Sequence, residues 1–151
     1  MGDSMIDLSS FRVKDAEYKG LCLIPIETGI KKSGTVKDIL RIPYLESIID
    51  LSNRRNLYVC YISNSLGLVD YDTYIEMEVK NNNPLFNRIL AEQVYRCCID
   101  MFVSQVYYMG RRSEKSYRDF LDMVRYYGIE VFSPVLGLDK EIIPKMLELY
   151  K

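Results

Sequence analysis

Four short polar segments carry the residues that could bind or transform a ligand, and each is expected to follow a β-strand. They are residues 28–32, 63–67, 110–113 and 133–137, and their candidate site residues are Thr28, Gly29, Lys31, Lys32, Ser63, Asn64, Ser65, Gly67, Gly110, Arg111, Arg112 and Ser113. Open α/β sheets place ligand sites at the carboxyl ends of their strands. We therefore predict a pocket for an anionic or nucleoside-like ligand there. Arg111 or Arg112 would supply a fork for an anion, and the amides of a helix start near Ser113 would donate to it.

Each segment also has a purely structural interpretation. Residues 110–113 are equally consistent with a solvated turn, and residues 31–32 with ordinary loop charges. Serine and asparagine at residues 63–65 are typical of turns that hold no ligand. Asp70 and Asp72, further along the chain, are interpreted as solvated loop residues in preference to a pair of metal ligands.

The absence of histidine removes several kinds of chemistry from consideration. Ser-His-Asp and Cys-His catalysis, histidine metal sites and a histidine general base are all excluded. Cys22, Cys60, Cys97 and Cys98 form no Cys-x-x-Cys pair, so we expect buried free thiols and no zinc site. The sequence contains neither a P-loop nor a Gly-x-Gly-x-x-Gly fingerprint, and we predict no metal and no cofactor.

Length and composition are typical of one globular domain. The chain has 151 residues, of which 48% are hydrophobic and 27% charged. We interpret residues 1–151 as a single α/β domain in which residues 1–19 form a loose or edge segment. The net charge of −1 argues against tight non-specific binding to nucleic acid. No signal peptide and no membrane-spanning apolar run is visible, which predicts a cytoplasmic protein with no membrane partner.

Strand and helix signals alternate along the chain. Apolar runs predict strands over residues 20–26, 57–62, 105–109 and 129–133, with a short extra strand within 74–79. Helical spacing predicts helices over about 35–52, 84–103, 113–128 and from 139 onward. A long connection over 64–83 is expected to join the strand over 57–62 to the helix over 84–103. Strands joined through helices require crossovers. The predicted fold is therefore a three-layer α/β sandwich, with a mostly parallel sheet of about four or five strands flanked by helices.

The second helix has the clearest start signal. Asn83 is expected to be its N-cap and Pro84 its first residue. Its apolar stripe is expected to run from Phe86 to Phe102 and to be well buried.

Some of these segments resemble a known family. Ser-Asn-Ser-Leu-Gly-Leu-Val at residues 63–69 is similar to Ser-Pro-Leu-Gly-Leu-Val-Pro in the catalytic core of archaeosine synthase, a tRNA-modifying lysine transferase related to tRNA-guanine transglycosylases. Residues 67–76 resemble a segment of a related family of small bacterial and phage α/β proteins. Residues 28–32, 37–40 and 133–138 fall at the places of that family's Cys-Gly-Lys-x-Lys, helix-start and closing Pro-Leu-x-Gly-Leu motifs. The similarity covers about residues 20–147.

The resemblance implies an enzyme, or enzyme component, that handles a modified purine of the 7-deazaguanine type in tRNA modification. Lys31 or Lys32 would be the nucleophile, residues 63–67 would hold the base or its nitrile, and Arg111 or Arg112 would hold a phosphate or an amino-acid carboxylate. The implied partners are a small base or nucleotide, tRNA and another protein.

In archaeosine synthase the nucleophilic lysine stands in Pro-Cys-Ser-x-x-Lys-Pro, followed by serine and histidine. This chain has Pro-Ile-Glu-Thr-Gly-Ile-Lys at residues 25–31, so its lysine stands one place late and the cysteine and histidine are missing. Two alternatives therefore stay open: a non-catalytic binding subunit of a modification complex, and a nucleotide or DNA-base enzyme unrelated to tRNA.

Overall fold

A mostly parallel sheet forms the centre of the protein, as described by a computed structural model over residues 17–26, 33–39, 44–63, 66–70, 72–76 and 87–150. Its strands are β1 (Gly20–Pro25), β3 (Leu57–Ser63), β4 (Gly67–Asp70), β6 (Gln105–Tyr108) and β7 (Glu130–Phe132). The order across the sheet is β4-β3-β1-β6-β7. A separate antiparallel pair joins β2 (Gly34–Thr35) to β5 (Tyr74–Ile75). The extra strand predicted within 74–79 is confirmed at Tyr74–Ile75, and residues 77–79 lie outside the described ranges.

Helices contribute to two buried apolar clusters that pack with the sheet. The helices are α1 (Val36–Ile39), α2 (Leu45–Arg55), α3 (Arg88–Asp100), α4 (Lys115–Tyr126) and α5 (Ile143–Leu149). Leu21 and Leu23 of β1 belong to the core cluster that includes α3 and α4, whereas Cys22 and Ile24 belong to the cluster that includes α2 and α5. Successive side chains of a strand point to opposite faces of the sheet. The apolar run of β1 is continuous because both of its faces are covered.

The four predicted main strands are confirmed, and all run in the same direction. β1 pairs in parallel with β3 and with β6, and β6 pairs in parallel with β7. β1 is therefore central, and Pro25 marks its end, not a sheet edge. Pro25 is the last paired residue of the strand, opposite Ile62.

The predicted long connection after β3 is wrong. The chain reverses instead, and β4 runs antiparallel to β3 with Ser63 opposite Gly67 and Cys60 opposite Asp70. Asp70 is consequently not a solvated loop residue: it is 4% exposed, and the Tyr58 hydroxyl donates to its Oδ1 over 2.9 Å. A buried carboxylate requires such a partner. Asp72 is exposed, as predicted.

The helix α3 is shorter than predicted. It begins at Arg88 because Asn87 has extended backbone angles, and the Asn87 side chain caps it by accepting from the Leu90 amide. The start signal predicted at Asn83 and Pro84 lies outside the described residues. The predicted stripe fails at two positions: Ile89 is 67% exposed, and Phe102, with a φ of 57°, lies beyond the helix and is 88% exposed. Phe86, its predicted first residue, lies outside the described residues.

The other helices differ from the predictions mainly at their ends. α4 buries Tyr117, Phe120, Leu121 and Val124 as predicted, and Gly128 follows it with a φ of 89°, a left-handed conformation that favours glycine. The last helix begins at Ile143, later than the predicted cap at Asp139. The helix predicted over 35–52 is described as α1 and α2, and residues 40–43 between them lie outside the description.

Two further sequence predictions relate to the chain as a whole. Most of the predicted loose or edge segment, residues 1–16, falls outside the described ranges. Among the helices that are described, none has the length and apolar character needed to cross a lipid bilayer.

Candidate functional site

The polar segments singled out in the sequence follow strands that end at the same edge of the sheet. Since β1, β3, β6 and β7 are parallel, their carboxyl ends share one edge. Ser63 ends β3, residues 110–113 follow β6 closely, and Ser133 directly follows β7. Thr28, Gly29, Lys31, Lys32, Asn64 and Ser65 lie outside the described residues.

The strand order reverses its direction at this edge. From β1 the chain moves to β3 on one side, and it then crosses over β1 to reach β6 on the other side. In open α/β sheets such a reversal is the place where ligands bind, so a crevice is expected between β1 and β6. Residues 110–113 follow β6 and would border such a crevice directly. Ser63 lies on the far side of β1, about 10 Å from β6 by two strand spacings.

Arg111 joins two loops of the carboxyl edge. Its Nε donates to the Leu138 carbonyl over 2.8 Å, and its own carbonyl accepts from the Gly137 amide over 2.6 Å. The predicted segments 110–113 and 133–137 are thus in direct contact. The half-buried guanidinium still has two terminal nitrogens with no acceptor in the described part of the chain, and these could form a fork for an anion.

Arg112 has partners within the protein. Its Nη2 lies 3.0 Å from a carboxylate oxygen of Glu114, and its guanidinium lies over the Tyr117 ring, 5.1 Å from the centroid. Hydrogen bonds from Arg112 lower the pKa of the exposed Glu114 carboxyl below its usual value. Glu114 is also the residue that precedes the first turn of α4. An anion at this helix start would therefore compete with a resident carboxylate.

Gly110 has a packing role that the sequence did not reveal. A Cβ added at this position would lie 2.6 Å from Cε2 and from the hydroxyl oxygen of Tyr108. Tyr108 is fully buried, so its ring has little room to move away. On the other face of the sheet, the Tyr44 hydroxyl donates to the carbonyl of Met109, which helps to fix the end of β6.

Ser63 and Gly67 form the turn between β3 and β4. The Ser63 hydroxyl accepts from the Leu66 amide over 2.9 Å. This bond is typical of serine in a turn and agrees with the interpretation of residues 63–65 as turn residues. Gly67 has a φ of 74°, and a Cβ there would lie 2.9 Å from Oε1 of Gln93. That same Oε1 accepts from the Leu68 amide. Gln93 therefore positions this turn from α3, and no local sequence signal points to it.

The buried thiols are unsuited to nucleophilic chemistry at neutral pH. All four cysteines are free and buried, as predicted. Burial raises the pKa of the Cys22 thiol to about 12, and burial with the neighbouring Cys97 thiol raises that of Cys60. A thiol acts as a nucleophile only when it is ionised. Within the described ranges, no group of three or more Cys, Asp or Glu side chains is placed to hold a metal ion.

Comparisons with protein-family models, curated proteins and solved structures find no match to this chain.

Proposed function

We propose that the protein binds a small anionic or nucleoside-like ligand in the crevice between the carboxyl ends of β1 and β6. The observation that carries this proposal is the parallel arrangement of β3, β1, β6 and β7, with the change of direction between β1 and β6. Arg111 supports it further, because it borders the crevice and its terminal nitrogens are available. In this proposal the fold is the complete three-layer sandwich, supported by the two helix-covered core clusters.

The ligand that we propose is a modified purine of the 7-deazaguanine type, handled by the protein as an enzyme or enzyme component in tRNA modification. The support for this class is the resemblance of residues 63–69 and 133–138 to the archaeosine synthase core and its relatives. Lys31 or Lys32, in the segment that follows β1, would be the nucleophile. Either would attack as the neutral amine, after desolvation or a neighbouring cation lowers its pKa.

The proposal is tested with a thermal-shift panel of 7-deazaguanine bases, nucleosides, nucleotides and free lysine. A ligand that binds only the folded state raises the free energy of unfolding by mass action, and with it the melting temperature. At a hundredfold excess over Kd the gain in free energy is about 2.7 kcal/mol. Lys31→Ala and Lys32→Ala should each be compared with Lys19→Ala. Lys19 is an exposed lysine just before β1, at the opposite edge of the sheet.

We expect one of the two loop variants to lose turnover or ligand retention while Lys19→Ala keeps both. If neither loop variant changes turnover or ligand retention, the assignment of a lysine nucleophile is wrong, and the proposal of a binding site is still tested by the ligand panel. If no compound in the panel raises the melting temperature, the ligand class itself is wrong.

A second candidate function is a non-catalytic binding subunit of a modification complex. The observations that favour it are the net charge of −1 and the departure of residues 25–31 from the archaeosine synthase motif, in which the lysine stands one place late and the cysteine and histidine are missing. A binding subunit would bind the purine without turnover and would co-purify with a partner protein. Modification of a base or tRNA by the isolated chain would exclude this second function.

A further inference from the structure

A groove of about 380 Å³ lies between α4 and the loop that follows β7. Its α4 wall is formed by Lys115, Arg118, Asp119, Leu121, Asp122 and Arg125, and its loop wall by Ser133 and Leu136. The charged residues of α4 recur at helical spacing and so share one side of the helix. A volume above about 300 Å³ is within the range of small-molecule sites. The groove shares Ser133 and Leu136 with the segment that follows β7, but it contains none of the side chains assigned a role in the proposed function.

The charges in the groove are unevenly paired. Lys115 Nζ lies 2.8 Å from Asp119, and Arg125 Nη1 lies 2.9 Å from Asp122. Arg118 has no carboxylate partner in the described part of the chain: its Nε donates to the Ser113 carbonyl over 3.0 Å. That bond fixes the guanidinium from one side and leaves both terminal nitrogens available. With three cations and two carboxylates in its lining, the groove has a net charge of +1.

The opposite wall adds a hydroxyl and an apolar surface. Ser133 is half-buried, and its hydroxyl forms no hydrogen bond to the described residues. Leu136 is half-buried beside it, and Leu121 closes the floor at 2% exposure. A ligand here would meet one guanidinium fork, one hydroxyl and two leucine side chains.

We propose that this groove binds a small monocarboxylate with an apolar body. Arg118 would hold the carboxylate through its two terminal nitrogens, Ser133 would donate a further hydrogen bond, and Leu121 and Leu136 would contact the apolar part. A planar carboxylate matches the fork of a guanidinium. A phosphate dianion fits less well, because Asp119 and Asp122 lie in the same wall and would repel its second charge.

The test is a nitrogen–proton NMR titration of the full chain with benzoate, with neutral benzamide and inorganic phosphate as the comparison probes. Benzoate should produce saturable shifts at the Arg118 Nε–H and at the Val135 and Leu136 amides. One charge-assisted fork and a small apolar contact predict a Kd on the order of 1 mM. Benzamide and phosphate should bind at least about tenfold more weakly, because benzamide lacks the charged carboxylate and phosphate lacks the apolar body.

Variants distinguish bidentate hydrogen bonding by the Arg118 guanidinium from the effect of its positive charge alone. Arg118→Ala should weaken benzoate binding by about tenfold or more, and Arg118→Lys should recover only part of it, because the charge returns without the fork. Arg96→Ala is the matched control: it removes an exposed arginine from α3 and should leave the Kd within about twofold. Ser133→Ala, on the other wall, should weaken binding by about threefold to tenfold.

Three results would overturn the proposal. The first is the absence of any saturable benzoate shift in the groove. The second is benzamide or phosphate binding as tightly as benzoate. The third is an unchanged Kd in both Arg118→Ala and Ser133→Ala.

Discussion

Replacement of Gly110 by alanine should destabilise the protein through a collision with Tyr108. The new methyl group would lie 2.6 Å from the Tyr108 ring and hydroxyl, well inside ordinary contact distance. Because Tyr108 is fully buried, relief requires movement of a packed aromatic ring or of the backbone at the end of β6. Overpacking of this kind costs about 1–3 kcal/mol. For a chain of this length that corresponds to a fall in Tm of roughly 2–12 °C.

The assay is urea unfolding of four proteins: the parent, Gly110→Ala, Tyr108→Leu and the double variant. If the collision is the cause, the double variant should be less destabilised than the sum of the single variants, with a coupling free energy of about 0.5–3 kcal/mol. Gly128→Ala is the control for backbone strain without a collision. Gly128 has a φ of 89°, and nothing lies within 4 Å of an added Cβ.

Additive single variants, to within about 0.5 kcal/mol, would refute the packing explanation of Gly110. The result also bears on function. A loss of ligand binding in Gly110→Ala that Tyr108→Leu reverses would show that the glycine affects the crevice through β6.

The buried hydrogen bond between Tyr58 and Asp70 and the buried thiols of Cys22 and Cys98 should also contribute to stability in measurable ways. Tyr58→Phe removes the 2.9 Å hydrogen bond to the buried Asp70 carboxylate and should lower the free energy of unfolding in urea by about 1.5–3 kcal/mol. The control Tyr126→Phe, at an 88% exposed residue, should have no effect. Equal effects of the two variants would contradict this role of the bond. Stability should also fall in alkaline solution. Burial raises the pKa of Cys22 and Cys98 from about 9 to about 12, so above pH 9 the unfolded chain loses protons that the folded chain keeps. Denaturation midpoints should decline between about pH 9 and 12, and a flat profile there would contradict the burial of these thiols.

Much of the fold can be read from local sequence patterns. The continuous apolar run at residues 20–25 marks a strand covered on both faces, and Tyr117, Phe120, Leu121 and Val124 mark the buried side of α4. These patterns are reliable because a helix or strand repeats its own geometry along neighbouring residues. The common edge of the strand ends was predictable from the same patterns. Strands joined through helices are usually parallel, so their carboxyl ends were expected to share one edge, and the parallel pairing of β3, β1, β6 and β7 agrees with this.

Only the tertiary structure decided which turns meet and which residues the core can hold. The order β3-β1-β6 separates Ser63 from Gly110, and the contact of Arg111 with Leu138 joins two loops that are 27 residues apart. Asp70 looked like a solvated loop residue because nothing near it in sequence reveals the strand pairing that brings it to Tyr58. A carboxylate is tolerated in a core only when a partner satisfies it, and here strand pairing, which arises from contacts between separate segments of the chain, supplies that partner.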